Sequence, residues 1–343
     1  VTTPTSTPLL RILTLNAIAL VVFALIGGAI LEVFCRTVLD DGMRFEFEMW
    51  RYARELKVAQ PDPQLPFVHR PNGRARVMGA DVALNGRGLR ADHETADRKA
   101  PGSMRIMMLG DSVTFGFGVG QDESTSARLE GLLNADGGTT RYEVLNAGVG
   151  NYNTVMEVAN YLQHGRSLAP DLVVLNFFVN DAETTPVPKG NVLTRSSLAA
   201  VYFNNRVDSV ARWTNGAPGW QQYYSDLFND DAPGWQAAQQ AIAALKRACD
   251  EDGRPLVIVN YPDLHQTQPY PLGRITTRIQ RVAESLPARF LDLTPIVEEQ
   301  HDAALTWVNG GDPHPNAATH ALYARRIADW LRSDVLPALT PAF

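Results

Sequence analysis

The fifteen residues from Ile106 to Gly120, IMMLGDSVTFGFGVG, begin as a run of large apolar side chains and break without a linker into Gly110-Asp111-Ser112. A segment that is apolar at every position shows no alternation of inside and outside, so it predicts a strand covered on both faces, as in a parallel sheet. The chain beyond it repeats the pattern. Strands YEVLNAGV (142–149), DLVVLNFFV (171–179), PLVIVNY (255–261) and RFLDLTPI (289–296) alternate with helices ESTSARLEGLLN (123–134), NTVMEVANYLQHGRSL (153–168), WQAAQQAIAALKRACDEDG (235–253), GRITTRIQRVAES (273–285) and NAATHALYARRIADWLR (316–332). The expected fold is α/β, a doubly wound three-layer α/β/α sandwich whose ligands meet the carboxyl ends of the strands.

The rest of the 343-residue chain sets bounds on what that domain does. At 45% hydrophobic and 20% charged it is a globular composition, and a formal charge of −6 with no basic stripe argues against a nucleic-acid partner. Cys35 and Cys249 are the only cysteines, which leaves neither a disulfide framework nor a cysteine metal site. From Ile12 to Leu31 the chain carries no charge and only two polar residues, Thr14 and Asn16. Twenty helical residues cross a hydrocarbon core of about 30 Å. The reading is an uncleaved anchor, with a signal peptide cut near Gly27-Gly28-Ala29 as the competing one.

Organisation follows in order: a tail over 1–11, the transmembrane anchor over 12–34, and a juxtamembrane helix with a small irregular or β-hairpin segment over 35–103. The α/β domain over 104–337 completes it. An insertion at about 182–234 interrupts the alternation and is rich in aromatics, among them Tyr202, Phe203, Trp213, Trp220, Tyr223, Tyr224 and Phe228, with Trp235 at its edge. Packing onto the domain is its expected role, ahead of a lid, a sugar-stacking platform or a membrane-facing surface.

Ser112 follows the first strand of the sheet, where a hydroxyl faces the crevice and is useful as a nucleophile. Serine needs a base. In GGDPHPNAATHALY, Asp312 and His314 precede the last helix, and an acid near an imidazole holds its tautomer and stabilises the imidazolium. His320, inside that helix, reads as packing, and His265 and His301 are set aside for want of an acidic partner at useful spacing. Two further loops end strands of the same sheet, NAGVGNYNT (146–154) and FFVND (177–181). Backbone N–H groups around Gly150 and Asn151 and the Asn180 amide are the donor types an oxyanion requires. No nucleotide or metal motif competes, since GFGVGQDES lacks both the Lys-Ser/Thr of a phosphate loop and the dinucleotide spacing. No cofactor is implied.

These four blocks, in this order over about residues 104–335, resemble the SGNH (GDSL-type) hydrolase superfamily, as a membrane-anchored bacterial-type member. The resemblance implies a parallel, flavodoxin-like sheet, with Ser112 as nucleophile and its own N–H in the oxyanion hole. It further implies Asn180 as the second hole residue, His314 as the base and Asp312 as its orienter. Three positions depart from the family pattern. Asn151 stands where the second-block glycine is usual, with Gly150 just before it; Phe178 replaces the glycine of Gly-x-Asn-Asp; and Asp312 lies two residues before His314 instead of the frequent three.

The expectation is a serine esterase that cleaves an O-acyl ester of a carbohydrate or lipid through an acyl-serine, held in a membrane and facing out of the cytoplasm. An O-acyltransferase acting on cell-surface polysaccharide would use the same residues. A non-catalytic binding module on this fold is the alternative from another class.

Overall fold

The computed structural model describes residues 8–135, 137–187, 192–299 and 306–339. Two compact units emerge: residues up to Trp50 with the described part of 190–216, and Arg51–Lys189 with the chain from Ala217 onward.

The helices of the first unit begin with α1 (Pro8–Phe34), and α2 (Phe45–Leu56) contributes to both units. The second unit adds hairpin strands β1 (Lys57–Asp62) and β2 (Leu65–His69), then β3 (Arg74–Val77) and β4 (Ala80–Ala83). The main alternation runs β5 (Ser103–Gly110), α3 (Ser112–Phe115), α4 (Thr125–Asn134), β6 (Arg141–Gly148), α5 (Thr154–Asn160) and β7 (Leu172–Phe177). After α6 (Val192–Ser196) and α7 (Leu198–Thr214), both in the first unit, it resumes with α8 (Trp220–Leu227), α9 (Pro233–Glu251), β8 (Leu256–Asn260), α10 (Gly273–Ser285) and β9 (Arg289–Asp292). It closes with α11 (Thr294–Glu298), the hairpin β10 (Trp307–Asn309) and β11 (Asp312–Pro315), and α12 (Ala317–Trp330).

Five of these strands form one parallel sheet in the order β6-β5-β7-β8-β9, the flavodoxin-like order expected. Successive residues of β5 point to opposite faces, and both faces are dry. Met107 and Leu109 join a core with Val158 of α5, Ile242 and Leu245 of α9 and Ile279 of α10. Ile106 and Met108 meet Leu129 of α4 and Tyr323 and Ile327 of α12 on the other side. That two-sided burial is why the strands read as unbroken apolar runs.

Two strands stop at least two residues short of their expected ends for local reasons. The predicted strand 289–296 stops at Asp292, whose Oδ1 accepts from the Thr294 N–H at 3.0 Å and the Thr294 hydroxyl at 2.7 Å, while Pro295 favours a helical first turn. The strand predicted over 171–179 stops at Phe177 because the Phe178 N–H turns to the Asp181 carboxylate at 2.9 Å. The aromatic insertion is divided between the units. Phe228 and Trp235 are buried against the sheet, with Trp220 and Tyr224 packed on them, whereas Tyr202, Phe203 and Trp213 belong to the first unit. In that unit the Glu32 carboxylate caps α7, accepting from the Ser197 hydroxyl at 2.7 Å and the Ala199 N–H at 3.0 Å.

Candidate active site

The sheet order reverses at β5, so the loops after β5, β6 and β7 open into one crevice at the switch point. Ser112 starts α3 directly after β5. Asp111 caps that short helix through Oδ1, which accepts from the Val113 N–H at 2.8 Å, and Gly116 ends it with φ +82°. The loop after β6 can lie this close only because Gly148 has no side chain: a Cβ there would stand 2.3 Å from the Phe115 nitrogen. The Val149 N–H then bonds the Gly110 carbonyl at 3.0 Å and ties the two loops together.

His314 and Asp312 come from β11. His314 Nε2 lies 2.8 Å from the Ser112 hydroxyl oxygen, and Nδ1 lies 2.5 Å from Asp312 Oδ1. Asp312 is acceptor-only when ionised, so Nδ1 carries the proton and Nε2 accepts from serine. The two-residue spacing has a cause in the strand. Residues i and i+2 of an extended chain project to the same side, so an acid two positions before the imidazole reaches it across Pro313. Asp312 Oδ1 also accepts from the His314 N–H at 3.1 Å, and the Phe117 ring packs against the imidazole at 5.1 Å. Ser112 is 7% exposed, so its hydroxyl is largely shielded from water.

Asn180 sits in the 3₁₀ turn after β7 and donates one amide N–H to Asp111 Oδ2 at 3.0 Å. Burial pushes the Asp111 carboxyl above its usual range, opposed by the bonds from Val113 and Asn180 and by His314 nearby. Behind this turn, burial and the neighbouring Asp181 and Asp111 charges push Glu157 up as well.

The Gly150–Asn151 turn differs from the sequence expectation in its donor. The Gly150 N–H is spent on the Tyr52 hydroxyl at 2.7 Å, which takes it out of any oxyanion hole. Asn151 holds φ +65°, in the left-handed region that asparagine tolerates better than most residues. Tyr52 in turn donates to His69 Nε2 at 2.6 Å, and His69 Nδ1 donates to the Gly88 carbonyl at 3.0 Å. Burial holds the His69 imidazole down at about 3, so it remains neutral and the tautomer follows from the carbonyl. Lys57 Nζ donates to the Gly150 carbonyl at 2.5 Å and to Asn151 Oδ1 at 2.9 Å. None of Tyr52, Lys57 and His69 was legible in the sequence: they lie about a hundred positions before the turn they hold, in a segment without a motif.

The other histidines divide. His320 is buried in α12, bonded to the Thr125 hydroxyl at 2.8 Å. His265 does have an acidic partner, contrary to the expectation: its Nδ1 lies 2.9 Å from both Asp263 oxygens, and its ring stacks on Trp220 at 5.0 Å. His301 lies outside the described residues. Among the described residues no group of three or more His, Cys, Asp or Glu side chains is arranged to hold a metal ion.

Residues 108–322 match the GDSL-like Lipase/Acylhydrolase family, and the chain belongs to it. It is therefore a hydrolase acting on ester bonds. Among solved structures it is similar to a two-domain esterase active on acetylated mannans, at 16% identity over 70% of this chain and 52% of that one, with a TM-score of 0.45. The chain spans about half the length of that esterase. It is also similar to the lipase/acylhydrolase from Enterococcus faecalis, at 15% identity over 70% and 99% of the two chains with a TM-score of 0.43. A putative lipolytic protein of the G-D-S-L family from Desulfitobacterium hafniense matches at 13% identity over 66% and 98%, with a TM-score of 0.43. No curated protein is significantly similar to the chain in sequence.

Proposed function

We propose that this family member is a serine esterase that cleaves O-acyl esters of a carbohydrate or lipid through a covalent acyl-serine. The observation that carries the reading is the unbroken path from Ser112 Oγ to His314 Nε2 at 2.8 Å and from His314 Nδ1 to Asp312 Oδ1 at 2.5 Å. As Ser112 Oγ attacks the ester carbonyl, its proton passes to His314 Nε2, and Asp312 stabilises the imidazolium that forms. The negative charge moves to the carbonyl oxygen. The N–H groups of Ser112 and Asn151 and the free amide N–H of Asn180 receive it. Collapse breaks the bond to the alcohol, which leaves with the proton from Nε2. Water then attacks the acyl carbonyl while giving a proton to Nε2, and collapse breaks the bond to Ser112 Oγ, which takes that proton back as the acid leaves.

The helix over Leu10–Leu39, whose most apolar 18 residues have a mean hydropathy of 2.6 and almost no burial, serves as a single-pass anchor that holds the enzyme outside the cytoplasm. A C-terminal reporter active only after export tests the orientation; a silent export reporter beside an active cytoplasmic one refutes it.

Chemistry is tested by labelling the full chain with a serine-directed phosphonate and mapping the modified peptide, then comparing wild type with Ser112→Ala on short and long acyl esters. The label falls on Ser112. Retention of more than about a tenth of wild-type kcat in Ser112→Ala refutes the nucleophile, because loss of the covalent route costs orders of magnitude.

A further inference from the structure

We infer that Lys57 is a positioning residue for the oxyanion turn: it fixes the Gly150–Asn151 peptide so that the Asn151 N–H faces the carbonyl oxygen of a bound ester. The inference rests on Ser112 being the nucleophile.

The Gly150 carbonyl and the Asn151 N–H are opposite ends of one planar trans peptide, so whatever holds the oxygen also sets the direction of the N–H. Lys57 holds the oxygen at 2.5 Å. Its second bond, to Asn151 Oδ1 at 2.9 Å, anchors the side chain of a residue kept at φ +65°, where a non-glycine residue other than Asn or Asp would be strained. At the position where the family commonly has glycine, this chain thus pairs an asparagine with a lysine that grips it. A donor on the carbonyl also polarises the peptide and strengthens its N–H as a donor at the other end.

Packing alone does not explain a lysine here. Its Nζ lies over the Tyr52 ring at 4.6 Å and the Phe67 ring at 4.2 Å, an aromatic surrounding that a methionine would fill. No carboxylate pairs with it among the described residues. Lys57 is half-buried, and drawing its amine away from water without an acidic partner is unfavourable unless its hydrogen bonds offset the loss. Both bonds it makes are to the one turn. Burial pushes the amine well below the ordinary lysine range, and the bonds persist in either form because two N–H groups remain after deprotonation. From the other side, Tyr52 occupies the Gly150 N–H, so the turn has one N–H left to offer, that of Asn151.

The test uses the full chain in detergent and a p-nitrophenyl ester of a short acid. It compares wild type, Lys57→Met, Tyr52→Phe and Ser112→Ala for kcat, KM, melting temperature and affinity for an alkyl boronic acid, whose serine adduct places an anionic oxygen in the hole. Lys57→Met is expected to lower kcat about 10- to 100-fold, part of the 10²–10³ that a whole donor is worth, with KM within about twofold. Boronate affinity falls by a similar factor. Tyr52→Phe, which frees the other end of the turn without changing volume, shifts the same two quantities in the same direction. A Lys57→Met enzyme with kcat within about twofold of wild type overturns the inference, as does a rise in KM with kcat and boronate affinity unchanged. If Lys57→Met does not melt cooperatively, Lys57→Gln, which keeps a shorter neutral donor, carries the same expectation and the same refutation. Ester cleavage persisting in Ser112→Ala overturns the nucleophile and this inference with it; Ser112-dependent cleavage indifferent to Lys57 overturns only the latter.

Discussion

Removal of the Asn180 amide separates catalysis from binding at this site. One amide N–H is committed to Asp111 Oδ2 at 3.0 Å, which fixes the plane of the side chain and leaves the second N–H for the oxyanion. Asn180→Ala therefore removes one hole donor and one partner of a buried acid. The first loss is worth about 10² to 10³ in kcat, or about 2.7–4 kcal/mol, felt only when charge develops on the carbonyl oxygen. The second is a stability effect of about 1–3 kcal/mol, because Asp111 is 1% exposed and keeps only its bond from Val113. The two are read independently: saturation kinetics on a short acyl ester at a temperature where both proteins are folded, and a thermal melt. The expected outcome is a fall in kcat of about 10²–10³ with little change in KM, beside a lower melting temperature. Asn180→Asp is expected to be as slow or slower, since it adds an acid beside Asp111 and turns an acceptor toward the developing charge. If Asn180→Ala raises KM with kcat unchanged, Asn180 binds substrate, and the hole is built from the backbone at Ser112 and Asn151 alone.

Two further outcomes follow from the same geometry. Asp312→Asn keeps the shape but favours the wrong imidazole tautomer, so kcat drops by several orders of magnitude, about 10⁴ in the best-known triad; a loss under about tenfold in steady-state kinetics would show that His314 is oriented by another group. His320 is held by burial at about 3, against an ordinary value of 6.5, so the folded state stays unprotonated where the unfolded chain takes up a proton. Its contribution is present above about pH 6.5 and lost as pH falls toward 3. His320→Gln should flatten that acid limb of the stability curve measured by denaturant titration, and an unchanged slope between those values counts against it.

The parallel sheet was legible because burial on both faces makes the strands run apolar over several consecutive residues: Ile106, Met107, Met108 and Leu109 are all within 1% of full burial. The strand ends were not, since they depend on single side-chain caps such as Asp292 and Asp181 that compete with the ladder locally. Ser112 and Asn180 could be found because each closes an apolar run at the crevice. The clamp of Tyr52, Lys57 and His69 could not, because its members meet the turn through tertiary contacts and keep no periodic spacing of their own.

Two Asp-x-His pairs, Asp312–His314 and Asp263–His265, show where a motif stops being informative. Both place Nδ1 within 2.9 Å of the acid, so the pairing itself is a local property of the two-residue spacing. What separates them is the other nitrogen. Nε2 of His314 meets a serine hydroxyl that β5 delivers to the switch point, whereas His265 stacks on Trp220 with Trp307 6.0 Å away. A dyad becomes a candidate base only where the fold supplies a nucleophile within hydrogen-bond reach. The spacing that departs from the family pattern is therefore no obstacle to catalysis at His314 and no sign of it at His265, because sheet topology, rather than sequence distance between acid and base, selects which pair faces Ser112.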